Sequence, residues 1–78
     1  MTKKEKNNYI EIIFKYKDII GELKEENYDY FSISEYDSVY QDILDYEDDG
    51  FYNWRKKDFE EFIEYLGDLT NTKINLEN

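Results

Sequence analysis

Seventy-eight residues make a single domain, near the size at which a hydrophobic core alone can hold a fold. Cysteine, histidine and proline are all absent, which excludes disulfides, thiolate metal sites and the commonest general base. The net charge of -10, from 20 acids against 10 bases, disfavours phosphate backbones and anionic membranes and points to basic partners.

Nine Tyr, five Phe and one Trp argue for an ordered chain, because each ring carries a large burial energy that a disordered segment of this charge would lack. The amino-terminal stretch does not read as a secretion signal, since Glu11, Lys15 and Lys17 interrupt its apolar run. Nothing approaches the roughly 20 apolar residues that span a bilayer. A cytoplasmic protein is expected, in the host cell's cytoplasm if a phage encodes it.

The first element runs from Tyr9 to Leu23. At about 100° per residue, Tyr9, Ile12, Ile13, Tyr16, Ile19, Ile20 and Leu23 share one face. Glu11, Lys15, Asp18 and Glu22 lie opposite. Ile10, Ile12, Phe14 and Tyr16 also alternate as a strand would, so an α+β fold with a hairpin or strand at 9–24 and two helices is the alternative. The helix accounts for the longer stretch. Residues 27–33 read as a connection, since Tyr28, Tyr30, Phe31 and Ile33 lack helical spacing.

A second helix is predicted from Ser34, an N-cap residue that would place Glu35 and Asp37 in the first turn, where the helix dipole favours acids. Tyr36, Val39 or Tyr40, Ile43, Leu44 and Glu47 follow its period, and Gly50 ends it. A third helix is predicted over 54–66, with Phe59, Phe62, Ile63 and Leu66 as its apolar stripe and Gly67 as its stop. Trp54 reads as a core anchor. Residues 70–78 form a carboxy-terminal tail in which 72–76 could make a short strand. The predicted fold is mainly α, a compact three-helix domain.

Charge is unevenly spread. Residues 1–24 hold six Lys against four acids, whereas the window 25–49 holds ten acids and no base. Asp42, Asp45 and Asp49, continuing from Asp37, fall in a row on the second helix. Asp58, Glu61, Glu64 and Asp68 make a row on the third. Acids three or four apart lie about 5 to 6 Å from each other on a helix, and a DNA strand carries one charge per about 3.4 Å of axis. Such rows suit a basic groove built for phosphates, with tyrosines between them offering flat faces where bases would sit. Like charges at this spacing repel unless cations interleave, so ten acids without a base suggest that the charge itself is used.

The same residues brush against a calcium loop. Asp45, Glu47, Asp49 and Gly50 match its positions one, three, five and six, but the twelfth residue is Lys56, which cannot ligate. No metal or cofactor is expected. Catalysis has no His or Cys to work with, and no phosphate-cradling glycine loop or nucleophile elbow is present. The chain reads as a non-enzyme without a small-molecule substrate.

The acidic run from Tyr46 through Glu47, Asp48, Asp49 and Gly50 to the aromatics Phe51 and Tyr52 and on to Asn53 resembles the small acidic inhibitors that phages direct at host DNA-binding defences, the anti-CRISPR and anti-restriction nucleic-acid mimics. Size, charge and the lack of catalytic groups extend that resemblance to the whole chain. It implies a stoichiometric inhibitor of a basic nucleic-acid-handling protein, such as a CRISPR effector or restriction enzyme, with no direct contact to nucleic acid or membrane. The expected partner-binding residues are Asp37, Asp42, Asp45, Tyr46, Glu47, Asp48, Asp49, Phe51, Tyr52, Asp58, Glu61 and Glu64. An immunity or antitoxin protein that neutralises a nuclease toxin is the alternative, being small, helical and acidic in the same way.

Overall fold

The structure is a computed structural model that describes residues 1–26 and 30–74, with the backbone alone for residues 30–34. Among these residues there are three helices and no strand: α1 (Lys3–Glu26), α2 (Tyr30–Asp48) and α3 (Lys56–Thr70). The chain is mainly α, as the dominant periodicity predicts. Contacts gather it into two units, one of Met1–Tyr16 with Asn53–Asn78 and one of Lys17–Tyr52. No described helix is long and apolar enough to cross a membrane.

α1 begins six residues before the predicted Tyr9. The reason is local: the Thr2 hydroxyl accepts the Glu5 N–H at 3.1 Å while the Glu5 carboxylate accepts the Thr2 N–H at 3.4 Å. This reciprocal capping box satisfies two backbone donors that a helix end otherwise leaves open. The Thr2 N–H first, and then the Thr2 hydroxyl, which donates to the same carboxylate at 3.1 Å, hold the Glu5 carboxyl below its ordinary pKa. Burial along α1 follows the helical period. Tyr9, Ile12, Ile13, Tyr16 and Ile20 are buried; Ile19 and Leu23, expected on the same face, are half-buried, as are Ile10 and Phe14, which the strand alternative would pair with Ile12 and Tyr16.

In the first unit, α1 and α3 meet through rings. Tyr9 stacks on Phe59 with centroids 5.3 Å apart and planes 4° from parallel. Trp54 lies against Phe59 at 5.1 Å and edge-on to Phe62 at 5.5 Å. Trp54 is thus half-buried in an aromatic cluster, the anchor its composition suggested. Phe59 and Leu66 are fully buried, and Phe62 and Ile63 partly so. α3 starts at Lys56, behind an extended Arg55 whose N–H donates to the Asp58 carboxylate at 2.8 Å. It runs four residues past the predicted end at Leu66. Gly67 lies within the helix, and Asn71, at φ 53°, ends it instead. Asn tolerates the left-handed region because its short polar side chain carries little steric penalty there.

In the second unit, α2 lies antiparallel to the second half of α1. Lys17 pairs with Glu47 at 3.1 Å and Lys24 with Asp37 at 2.8 Å, so ascending positions on α1 meet descending ones on α2. The Lys24 ammonium also sits 4.5 Å from the Tyr40 ring centre. α2 begins at Tyr30, a turn earlier than a Ser34 cap predicts, and its first turn contains no acid. Helix growth adds one bond per residue once nucleated, so residues of modest propensity are carried into it. The predicted connection at 27–33 is therefore helical from Tyr30 onward. Its earlier residues, 27–29, lie outside the described part, as do 75 and 76 of the predicted strand. Residues 72–74 of that strand are not in one.

The end of α2 decides how the following aromatics point. Phe51 donates its N–H to the Tyr46 carbonyl at 2.9 Å, and Gly50 donates to Glu47 at 3.0 Å. This is the two-bond Schellman pattern, with Gly50 at φ 68° in the left-handed position that glycine fills without strain. The motif brings the residue after the glycine back onto the last turn, and the Phe51 and Tyr46 rings accordingly lie 6.4 Å apart.

Candidate functional site

The acids that the sequence singles out fall into distinct groups. Asp42, Asp45, Asp48 and Asp49 are exposed, and among the described residues no cation lies within ion-pairing distance of them. Asp45 accepts a hydrogen bond from the Gln41 side chain at 3.1 Å, one turn back on the same helix. Asp37 and Glu47 are held by Lys24 and Lys17. Sequence reading treated the lysines of α1 as a separate basic region; the antiparallel packing instead turns two of them onto α2. The fully acidic surface is thereby narrowed to the carboxy-terminal end of α2.

That end is electrostatically unusual. A helix carries roughly half a negative charge at its carboxy terminus, so cations stabilise it there and acids do the reverse. The last turn of α2 contains no base. It contains Asp45 and Asp48, beside a Glu47 whose charge the Lys17 ammonium offsets, and Asp49 follows directly. Peptide dipoles and carboxylates therefore add to the same negative potential.

Two neighbouring aromatics separate here. Tyr52 is 70% exposed and stands next to this potential in the chain. Phe51 is only 1% exposed. The expectation that Phe51 contacts a partner is corrected by its burial: the Schellman cap turns its ring inward, so it fixes the turn rather than presenting a surface. The signal was available in the sequence, as a glycine followed by an apolar residue after a turn that contains Tyr46. Tyr46 is half-buried against that ring.

On α3 the predicted row divides. Asp58 is exposed but serves the helix start through Arg55. Glu61 is exposed and lies 3.9 Å from Lys57, a loose pair of two solvated side chains that contributes little. Glu64 and Asp68 face a cleft of about 490 Å³ that Tyr9, Tyr16, Glu60 and Lys73 also line. Glu60, which sequence reading passed over, accepts a hydrogen bond from the Tyr9 hydroxyl at 3.4 Å. Burial, reinforced by the neighbouring Glu60 charge, pushes the Tyr9 phenol above its ordinary pKa.

No family model, curated protein or solved structure matches the chain.

Proposed function

We propose that the protein is a stoichiometric inhibitor that occupies the nucleic-acid groove of a basic protein, in the manner of the phage-encoded anti-CRISPR and anti-restriction mimics that its sequence resembles. The observation that supports this most is the acid-loaded carboxy terminus of α2. Asp45 and Asp48 oppose the helix dipole, and Asp49 extends the charge beyond the last turn. A local arrangement that costs stability without a structural return is of the kind found at functional sites. Its chemistry suits cationic ligands: solvated carboxylates at helical spacing, with one exposed ring beside them for stacking or for packing on guanidinium groups.

In this reading Asp42, Asp45, Asp48 and Asp49 meet Lys and Arg side chains that otherwise hold phosphates, and Tyr52 supplies the flat contact. Asp37 and Glu47 belong to the flank, since each already holds a lysine. Steering by the negative field speeds encounter, and the desolvated charge pairs at the centre set the lifetime of the complex.

The test is competition. The immobilised chain captures its binding protein from a bacterial lysate. The purified partner is then titrated with its own nucleic acid, with and without the chain. Mutually exclusive binding is the expected result. A ternary complex with unchanged nucleic-acid affinity would overturn the mimic and favour a nuclease immunity protein that binds away from the substrate groove.

A further inference from the structure

The segment that follows α3 is held locally by the Thr72 N–H, which donates to the Gly67 carbonyl at 3.1 Å, and across the fold by a buried hydroxyl on α1. Tyr16 is 1% exposed, and its hydroxyl donates to the Thr72 carbonyl at 3.0 Å and accepts the Ile74 N–H at 2.9 Å. A phenol has one donor and lone pairs to spare, so both bonds form at once. The chain reverses just before these contacts, at Asn71 with φ 53° and ψ 36°. The reversal rests on Gly67: a Cβ there would lie 3.2 Å from both the Thr72 carbonyl oxygen and the Tyr16 hydroxyl. Gly67 thus provides the clearance that lets the segment reach the hydroxyl. Thr72 and Lys73 themselves are exposed, and Lys73 lines the same cleft as Glu60, Glu64 and Asp68.

We propose that residues 71–74 are a hinged strap, with Asn71 as the hinge, Gly67 as the seat and the Tyr16 hydroxyl as the latch. Latched, the strap keeps Lys73 beside three carboxylates of α3. Released, it carries that cation away and opens the cleft, leaving Glu60, Glu64 and Asp68 as a wall of one sign. Opening breaks two tertiary hydrogen bonds and the Thr72 N–H bond to the Gly67 carbonyl and involves only the short segment after α3, so it belongs to the local openings that proteins make far more often than they unfold. The strap stands whether or not the acidic end of α2 binds a basic protein.

Amide hydrogen exchange measured by NMR tests the latch. In Tyr16→Phe the ring remains and the Ile74 amide loses its acceptor. Exchange at Ile74 relative to the Ile13 amide of α1 is expected to accelerate roughly tenfold or more. Gly67→Ala, which keeps the hydroxyl but crowds the seat, is expected to act in the same direction. A soluble neutral gadolinium chelate tests the opening: relaxation enhancement at the Tyr9 ring and the Ile63 side chain, which line the cleft and are buried and half-buried, is expected to rise in Tyr16→Phe. An unchanged exchange ratio, including one in which Ile13 and Ile74 accelerate together, would overturn the latch. Faster exchange at Ile74 with unchanged relaxation at Tyr9 and Ile63 would overturn the opening.

Discussion

Phe51 and Tyr52 are adjacent aromatics with opposite roles. Phe51 takes φ 53°, a region that costs a side-chain-bearing residue roughly 1 to 2 kcal/mol, and its fully buried ring offsets that cost. Phe51→Ala is expected to lower unfolding free energy by about 3 to 5 kcal/mol, as for other buried rings, whereas Tyr52→Ala should stay within about 0.5 kcal/mol of wild type. Urea unfolding of the two variants measures the difference, and comparable losses would mean that the inward turn of Phe51 is misassigned. Tyr9 gives a pH signature. Its folded pKa lies above the unfolded value near 10.0, so the folded state binds this proton more tightly. The resulting stability is fully present below pH 10 and is lost as pH rises through the folded pKa. Tyr9→Phe removes that alkaline loss, so the wild-type stability curve should fall more steeply than the variant's above pH 10.

At the scale of the helix, the acidic end of α2 yields a prediction in which stability and binding part company. Replacing an acid in the last turn by a base reverses an unfavourable charge–dipole contact worth about 0.3 to 1 kcal/mol. Asp48→Lys is therefore expected to raise the thermal midpoint while weakening partner binding. A lower midpoint in a folded variant would show that Asp48 has a structural role. The helices also show how far periodicity reads. The buried face of α1 was legible because its apolar residues keep helical register over four turns. The start of α1 was not, because the capping box of Thr2 and Glu5 precedes the first apolar residue and leaves no trace in hydrophobic spacing. Ser34 and Gly67 misled in a common way: each is a residue that often bounds a helix, placed here inside one. At Gly67 the missing side chain serves the close approach of Thr72 rather than a stop. The acid window was legible from composition, but its division was not, since Lys17 and Lys24 reach Glu47 and Asp37 from 30 and 13 residues away in the chain.

For the whole molecule, ten net negative charges stand against ion pairs that, among the described residues, include Lys17 with Glu47, Lys24 with Asp37 and Lys57 with Glu61. The pairs are partly or fully solvated, and such pairs are worth at most about 1 kcal/mol each. Added salt weakens them, but it also screens the larger sum of repulsions. The thermal midpoint is therefore expected to rise as NaCl increases from low to moderate concentration; a fall would mean that the attractive pairs dominate. The central claim, that the carboxy-terminal end of α2 is the binding surface, calls for a comparison of charge reversals by titration calorimetry against the captured partner. One variant carries Asp45→Lys with Asp48→Lys. The control carries Glu11→Lys, Asp18→Lys and Glu22→Lys, all exposed on α1 and a larger change in net charge. Loss of a central charge pair costs about 2 to 5 kcal/mol, whereas peripheral charges act mainly on association rate. The α2 variant is therefore predicted to lose about a hundredfold or more in affinity, with its helical circular dichroism intact and the control within a few-fold of wild type; equal, small effects from the two variants would contradict the claim.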